Sequence, residues 1–382
     1  MTPADLSRTV LHAVRRAVDE DALRAPVPAR VRVERTRPGG SGDYACAVAL
    51  QLARPAALPA LEVARILRER VAAEPGVGRV EITGPGFLSF TLDAPAESDR
   101  AVLAAVREQG LAYGHGDALR DEIHRYHHAR EVRAAVTAQT VRRLLTAQGA
   151  RVRTTCAEPP DPDWGRLGVT VDAHGTPPVP LTGIRPVPAG ATAGELLERL
   201  GPDAARWGLL RAAGHDRAAL GPELLVQGEA NPLFRVRYAH ARARALTRGA
   251  AALGFTAEPA PYGASPSGPA AHGASPAAQA AQAANAATTA YDAPARPLLD
   301  LIADHPGVLL AGARHRAPDR VARQLEAVAH AFFDFHDSCP PLPAGDEKPS
   351  AAHRARLAIA EAAGTVLAGG LSLLGIRAPE HL

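Results

Sequence analysis

The sequence NPLFRVRYAHAR at Asn231–Arg242 decides how the second half of the chain is interpreted. Tyr238 and Arg242 are four residues apart, so they share one face of a helix, whereas His240 and Arg244 fall on another face. An exposed tyrosine can stack on an unpaired nucleic-acid base, and an arginine one turn away can bind the adjacent phosphate or cap a second base. The alternative interpretation is that Tyr238 is a core residue and Arg242 a solvated surface charge.

The C-terminal part of the chain is predicted to be a helical bundle. An arginine-rich segment over 202–250 is predicted to be helical, and further helices are predicted at 298–313, 317–337 and 350–375. The last of these has apolar residues at the spacing of a helix buried in a bundle. Between them, residues 256–297 consist mainly of Ala, Pro, Gly, Ser, Gln and Asn. Such a composition buries too little apolar surface to offset the entropy of ordering, so it predicts a flexible insertion.

Upstream of this bundle, the pattern predicts a fragment of an α/β layer. Residues 121–149 are predicted to be helical, and residues 151–155 to form a strand. Strand-like pieces follow at 168–172 and 178–182, before a predicted helix at 193–200. A helix, a strand and another helix in this order indicate a fragment of an α/β layer.

The N-terminal residues predict a small α+β domain. Apolar residues recur at helical intervals over 3–24, and alternation over 29–35 indicates a strand. Helices are predicted at about 44–54 and 58–74. Two short strands joined by a Gly-Pro-Gly turn are expected within 78–92, and a helix from about 97 to 110 closes the unit.

The predicted fold class is therefore multidomain, α/β plus all-α. It comprises a small α+β N-terminal domain over 1–115, a remnant Rossmann-like α/β layer over 116–225, and a C-terminal helical bundle over 226–382 that includes the insertion. A chain of 382 residues is too long for one ordinary core, which agrees with this division.

Composition restricts the possible functions. The net charge is +3, and Lys348 is the only lysine among 43 basic residues. A GC-rich genome explains this bias, although arginine also suits phosphate and base contacts. Cys46, Cys156 and Cys339 are isolated, so neither a disulfide framework nor a metal site is expected. Without an N-terminal signal core or an apolar run of about 18 residues, we expect a cytoplasmic protein that does not bind membranes.

Three separated stretches resemble arginyl-tRNA synthetase, in the order of that family. GDYACAVAL at 42–50 and VEITGPGFLSF at 80–90 resemble its N-terminal additional domain. Asn231–Arg242 resembles the first helix of the family's DALR anticodon-binding domain. From Leu298 onward, AFFDF at 331–335 and GLSLLGIRAPE at 370–380 resemble its closing elements. The chain also resembles actinobacterial proteins described as ArgS-related anticodon-binding proteins, in which the catalytic domain is truncated and degenerate.

The resemblance implies that the partner is a tRNA, expected to be tRNA-Arg, and not DNA. It assigns tRNA anticodon binding to a set of residues in the C-terminal domain: Asn231, Arg235, Tyr238, Arg242 and Leu382. It also implies contact of Asp43 and Tyr44 with the tRNA elbow.

The catalytic part of the family's pattern is broken in this sequence. Class I synthetases hold ATP phosphates with a His-x-Gly-His motif at the start of a helix, and no such motif occurs in the chain. The degenerate counterparts are His127 and His128, with Arg130 at the position of the glycine. Arg185 alone remains of the mobile basic loop, and prolines around it stiffen the segment. No catalytic residue and no cofactor are therefore expected.

Three hypotheses follow from these observations. The first is a tRNA-binding protein without aminoacylation activity. The second is a shortened arginine–tRNA ligase, and only this one requires ATP. The third is a protein–protein scaffold for a synthetase or for a tRNA-dependent biosynthetic enzyme, so a protein partner in a tRNA-dependent pathway is a possible binding partner.

Overall fold

The computed structural model describes residues 3–36, 41–74, 76–92, 95–259 and 294–382. Most of the insertion predicted at 256–297 lies outside these described residues. Among them the chain forms two compact units, one ending at Ala104 and the other beginning at Ala105. The domain boundaries predicted near residues 115 and 225 stay predictions.

The first unit is an antiparallel sheet packed against helices. Its strands lie in the order β1-β2-β4-β3, and its core is built from Leu, Val and Ala side chains of the helices together with Leu88 and Phe90 of the sheet. The elements are α1 Pro3–Asp19, β1 Val33–Arg35, β2 Tyr44–Cys46, α2 Val48–Ala56, α3 Ala60–Ala72, β3 Val77–Thr83 and β4 Phe87–Leu92. The next helix, α4 Pro95–Gln109, begins in this unit and ends beyond Ala104.

The helix predicted at 44–54 is wrong in its first turn, because Tyr44–Cys46 forms strand β2. This strand pairs with β1 on one side and β4 on the other, so the sheet overrides the local helical tendency. Gly42 permits the close approach: its φ is +75°, and a Cβ there would lie 2.7 Å from the Phe90 carbonyl oxygen.

The second unit contains a four-stranded parallel sheet in the order β7-β6-β5-β8. Its strands and associated helices are β5 Ile123–His128, α5 Val132–Ala147, β6 Arg151–Cys156, β7 Ala173–His174, β8 Thr182–Ile184 and α6 Ala193–Arg211. Three short 3₁₀ helices lie at Gly110–Ala112, Pro162–Leu167 and Pro222–Leu225. The β5-α5-β6 crossover confirms the α/β class of this region.

Two sequence predictions need correction in this sheet. Ile123–His128 is the central strand β5 rather than the first turns of a helix over 121–149. This polar segment lacks the apolar signal of a buried strand and is held by parallel strands on both sides. The strand-like pieces predicted at 168–172 and 178–182 are displaced, because the strands form at Ala173–His174 and Thr182–Ile184.

The helical bundle of the second unit confirms the sequence pattern. Its long helices are α7 Pro232–Ala252, α8 Arg296–His315, α9 Pro318–Ser338 and α10 Ala351–Leu374. The continuous helix predicted over 202–250 is wrong, because α6 ends at Arg211 and α7 begins only at Pro232. α6 is also kinked at Gly201, whose φ is +70° and which precedes Pro202.

Helix α10 is long and apolar enough to cross a membrane by length and composition. The sequence expectation concerned an unbroken apolar run of about 18 residues, and Glu361 interrupts the apolar residues of this helix. However, 72% of its most apolar window is buried within the protein, as in the central helix of a bundle. Its boundaries are sharp: Ser350 caps the N-terminus and Gly375 ends the helix with φ +73°.

Candidate nucleic-acid interface

The start of α7 is fixed by Asn231, which is buried. Its side-chain oxygen accepts the backbone N–H groups of Leu233 and Phe234, and its side-chain nitrogen donates to the carbonyls of Leu224 and Val226. Pro232 follows at the first helical position, where no N–H is needed. The structure therefore places Asn231 as the cap that orients α7, and its amide has no polar atom left over for a ligand.

Tyr238 lies on an exposed aromatic surface between α7 and α9. Its side chain is 44% exposed. The ring centroid of Phe234 lies 5.6 Å away with planes inclined by 10°, and that of Phe333 lies 5.5 Å away at 24°. Such near-parallel, offset rings are a favourable aromatic arrangement. We call these three residues, Phe234, Tyr238 and Phe333, the aromatic strip.

Arg242 borders the aromatic strip at one end. Its Nε donates to Nε2 of His336 at 3.3 Å, and Nδ1 of His336 lies 3.1 Å from the carboxylate of Asp337. Because arginine has only donors, His336 must accept through Nε2 and carry its proton on Nδ1, facing Asp337. Arg242 is itself exposed, so other donors of its guanidinium face solvent.

Arg235 makes a similar contact near the start of α7. Its Nη2 lies 2.9 Å from Nδ1 of His330, whose Nε2 lies 3.6 Å from the carboxylate of Asp334. Arg235 and Arg242 thus each contact a histidine of α9 that has an aspartate beside it. The structure brings Arg235, Tyr238 and Arg242 together on one face.

Leu382 lies at the end of the tail that follows α10, and it is exposed. Glu380 in this tail pairs with Arg244 at 2.9 Å, and Arg248 lies 4.0 Å from the same carboxylate. The tail is therefore bound along the face of α7 that carries Arg244, which differs from the face of Tyr238.

The two residues assigned to the tRNA elbow are placed differently from each other. Tyr44 lies in strand β2, and its side chain is buried in the core of the first unit. Asp43 is partly exposed, and its backbone pairs with Thr36 and Phe90. Contact of Asp43 with RNA stays a prediction, whereas the ring of Tyr44 serves packing.

The degenerate histidines lie at the carboxyl end of strand β5. His127 is partly exposed, and its Nδ1 lies 2.9 Å from the hydroxyl of Thr155. His128 is buried beneath Trp164, with ring centroids 5.8 Å apart, and its Nδ1 donates to the carbonyl of Ala129. Burial is the main cause that lowers the pKa of His128, so this ring is neutral at pH 7.

Glu131 caps the N-terminus of α5 with its carboxylate. One carboxylate oxygen accepts the backbone N–H of Ala134 at 2.7 Å, and the other accepts that of Ala189 at 2.8 Å. A helix N-terminus that follows a parallel strand commonly binds phosphate, because its N–H groups point outward. Here a side chain of the protein itself occupies part of that position.

Arg133 connects the first turn of α5 by hydrogen bonds to the loop after strand β8 and to the end of α6. Its guanidinium is buried and donates five hydrogen bonds to backbone carbonyls, those of Val187, Leu209, Ala212, Ala213 and Asp216. Burial lowers the pKa of Arg133, and the charges of Glu131, Asp216 and Asp319 oppose this effect. The loop after strand β8 is therefore tied to the end of α6. Arg185 lies exposed in that loop.

Sequence reasoning missed the residues that α9 contributes to the interface. Phe333 is the clearest case: it is out of phase with the buried residues of α9, among them Val328, Phe332 and Phe335. An aromatic residue that falls outside the apolar periodicity of a helix, as Phe333 does, could have been recognised in the sequence as an exposed aromatic. His330 and His336 carried no comparable signal.

Comparison with known proteins agrees with this geometry. Residues 272–382, which contain α8, α9 and α10, match the DALR anticodon binding domain. Residues 5–92 match the arginyl tRNA synthetase N terminal domain. Two separate segments of the chain are thus similar to domains of this kind, one near each end of the sequence.

Individual relatives are similar to all or to part of this chain. An arginine–tRNA ligase of Frankia alni is 26% identical over 579 residues, with all of both chains covered. A second ligase, from Pseudarthrobacter chlorophenolicus, is 33% identical over 189 residues, which are 49% of this chain and 30% of the relative. The arginyl-tRNA synthetase of Thermus thermophilus has the same fold, with a TM-score of 0.63 and 14% identity over all of both chains.

The alignment with the Frankia alni ligase also shows that this chain is shorter internally. The alignment spans 579 positions and both chains from end to end, whereas this chain has 382 residues. About a third of the aligned positions therefore have no residue of this chain, and they lie inside the alignment rather than at its ends.

Proposed function

We propose that this protein binds tRNA, with tRNA-Arg as the expected partner, and does not aminoacylate it. The observation that carries the proposal is the exposed ring of Tyr238 in the aromatic strip, which stacks on Phe333 within the segment 272–382 that matches an anticodon binding domain. Anticodon loops are single-stranded, and unpaired bases are the part of RNA that aromatic side chains recognise.

The chemistry of the aromatic strip supports binding of unpaired bases. Phe234 and Phe333 lie against Tyr238, so less side-chain freedom is lost when a base stacks there. Stacking on one aromatic residue contributes about 1–3 kcal/mol per base. Arg235 and Arg242 on the same face can bind the flanking phosphates, since their histidine partners leave other guanidinium donors free.

The carboxyl end of strand β5 supports the absence of aminoacylation. In the family's mechanism, ATP phosphates meet imidazoles and the N-terminus of the following helix. Here the Glu131 carboxylate accepts the backbone N–H of Ala134 at that N-terminus, and Trp164 covers His128. A triphosphate at this position would meet a negative charge rather than free donors. The residues present therefore do not fit ATP.

The first experiment measures tRNA binding by the full chain. Total tRNA is titrated in a filter-binding assay, and the retained RNA is sequenced. We expect enrichment of tRNA-Arg and an affinity that falls steeply as salt rises, because phosphate contacts release counterions. An affinity that does not change with salt would contradict binding to RNA.

The ligase alternative has a specific observation in its favour, since the full-length relatives are named arginine–tRNA ligases. It requires ATP and predicts arginine-dependent exchange of pyrophosphate into ATP. We expect no exchange above a protein-free control. Exchange that depends on arginine would replace the proposed function with ligase activity.

The scaffold alternative is separated by a double variant. If Tyr238→Ala with Arg242→Ala binds tRNA as tightly as the wild type while a protein partner is retained, the helical bundle acts through protein contacts. The proposal predicts that the double variant loses tRNA and that Tyr238→Phe keeps it.

A further inference from the structure

A second candidate site lies on the other face of α7. It is a cleft of about 1350 Å³ enclosed by α5, α7, α10 and the tail that follows α10. Small apolar residues form part of its wall, and arginine and threonine side chains project into it. Such a combination of apolar walls with a few convergent polar groups is typical of ligand-binding sites.

Two guanidinium groups meet beside Gly375: that of Arg143, which lines the cleft, and that of Arg206, which is buried. A Cβ at Gly375 would overlap Nη1 of Arg143 and lie 2.7 Å from Cζ of Arg206. Only a glycine therefore leaves room for both groups at this end of α10. The pKa of Arg206 is lowered to about 9. Burial is the main cause, and the positive charge of Arg143 lowers this pKa further. The two groups are thus close enough to repel each other.

Neutral oxygen atoms are the hydrogen-bond acceptors of both groups. Arg206 donates to the carbonyls of Leu167 and Leu374 and to the hydroxyl of Thr140. Within the described part of the chain, the one acceptor of Arg143 is the carbonyl of Gly168, at 3.5 Å. Partly buried cations are normally paired with a carboxylate, which Arg143 does not have among these residues.

Arg142, the neighbour of Arg143 on α5, also has spare hydrogen-bonding capacity. Its Nη2 pairs with Asp172 at 3.0 Å, but its Nη1 is buried without a hydrogen-bond partner among the described residues. The carboxylates that line the cleft interact with arginines other than Arg142 and Arg143. Glu380 pairs with Arg244, and Glu361 interacts with Arg107 and Arg244. Positive charge on the α5 side is thus not balanced by these groups.

We propose that this cleft binds a phosphate group on Arg142 and Arg143. A phosphate supplies the missing negative charge and several acceptor oxygens, which match the forked donors of guanidinium groups. The phosphate belongs either to the backbone of a bound RNA or to a free phosphorylated molecule. The cleft is separate from the aromatic strip, because residues of opposite faces of α7 form the two sites.

The test uses an exposed position on the wall of the cleft. Thr146 follows Arg143 by three residues and Arg142 by four on α5, so a carboxylate there reaches both guanidinium groups. Thr146→Glu introduces this competing charge without burying it, and Thr146→Gln is the neutral control of the same size. Arg143→Gln, which removes the cation, is the second variant.

Pyrophosphate is titrated into the full chain by calorimetry, and tRNA affinity is measured for each variant. We expect Thr146→Glu and Arg143→Gln to bind pyrophosphate about tenfold more weakly than Thr146→Gln, as for the loss of a charge-assisted hydrogen bond. If pyrophosphate and tRNA compete for binding, the phosphate group that the cleft binds belongs to the RNA backbone. Simultaneous binding identifies a free phosphorylated ligand.

The proposal is overturned if Thr146→Glu and Thr146→Gln have equal affinities for both pyrophosphate and tRNA. A difference in either affinity supports it. Its failure is distinct from failure of the proposed function, because Tyr238→Ala reports on the aromatic strip alone.

Discussion

Tyr238 of α7 lies against Phe333 of α9, with ring centroids 5.5 Å apart and planes inclined by 24°. The two helices are separate in sequence, so the aromatic strip exists only when the bundle is folded. An unpaired base that stacks on this surface therefore contacts side chains of both helices.

The ring of Tyr238 can be removed without opening the core, because it is exposed. Tyr238→Ala should weaken tRNA binding by about 1–3 kcal/mol through the loss of stacking. Tyr238→Phe retains the ring and should bind within about twofold of the wild type. Filter binding with purified tRNA-Arg measures both, and equal affinities of the Ala and Phe variants would contradict the proposed stacking.

The arginines of the same face should contribute mainly through charge. Arg242→Ala and Arg235→Ala should each reduce the slope of log K against log salt by about one phosphate contact. The matched control is Arg217→Ala, which removes an exposed arginine outside the interface. If the control lowers the slope as much as the two variants do, the face has no special role in binding RNA.

The Glu131 carboxylate should stabilise the fold rather than take part in chemistry. Glu131→Ala removes the acceptor of two backbone N–H groups, those of Ala134 and Ala189. The loss of such a cap should lower the free energy of unfolding by about 1–2 kcal/mol, measured in urea. Glu158→Ala, at an exposed position, should change it little. An unchanged stability of Glu131→Ala would show that the cap does not matter.

Arg133 should be far more important for stability than its neighbour Arg130. Arg133→Met leaves five backbone carbonyls without their donor, and we expect a loss of at least about 3 kcal/mol in the free energy of unfolding. Arg130→Met removes one hydrogen bond to the carbonyl of Pro159 from an exposed side chain and should cost less than about 1 kcal/mol. Comparable losses in the two variants would refute the role given to Arg133.

Buried histidines should make the protein sensitive to acid. Burial lowers the pKa of His305 from its ordinary 6.5 to about 4, although Nδ1 of the ring donates to the side-chain oxygen of Gln324 at 2.7 Å. The unfolded chain therefore binds a proton between pH 6.5 and 4 that the folded protein does not. Stability is full above pH 6.5 and falls as the pH drops towards 4, by about 3 kcal/mol for this residue.

The check on this prediction is the variant His305→Gln, which cannot titrate. Its free energy of unfolding should depend less on pH between 6.5 and 4 than that of the wild type. The two proteins should show the same pH dependence between 7 and 8, where the ring is neutral in both states. Parallel curves over the acid range would rule out His305 as a cause of acid sensitivity.

Much of the helical architecture could be predicted from the sequence because its signals are local. Periodic apolar residues predicted α8, α9 and α10 to within a few residues. Tyr238 and Arg242 share a face for the same reason, since a spacing of four residues is fixed by helix geometry alone.

The tertiary structure decided everything that depends on neighbours distant in the chain. Tyr44–Cys46 and Ile123–His128 became strands because strands on both sides supply their hydrogen bonds. Asn231 became a buried cap, and Phe333 came to lie beside Tyr238. The contact between Arg143 and Arg206 at Gly375 could not be predicted from local patterns either, because the three residues are distant in the sequence. Periodicity specifies which face of an element is apolar, but only packing specifies what that face meets.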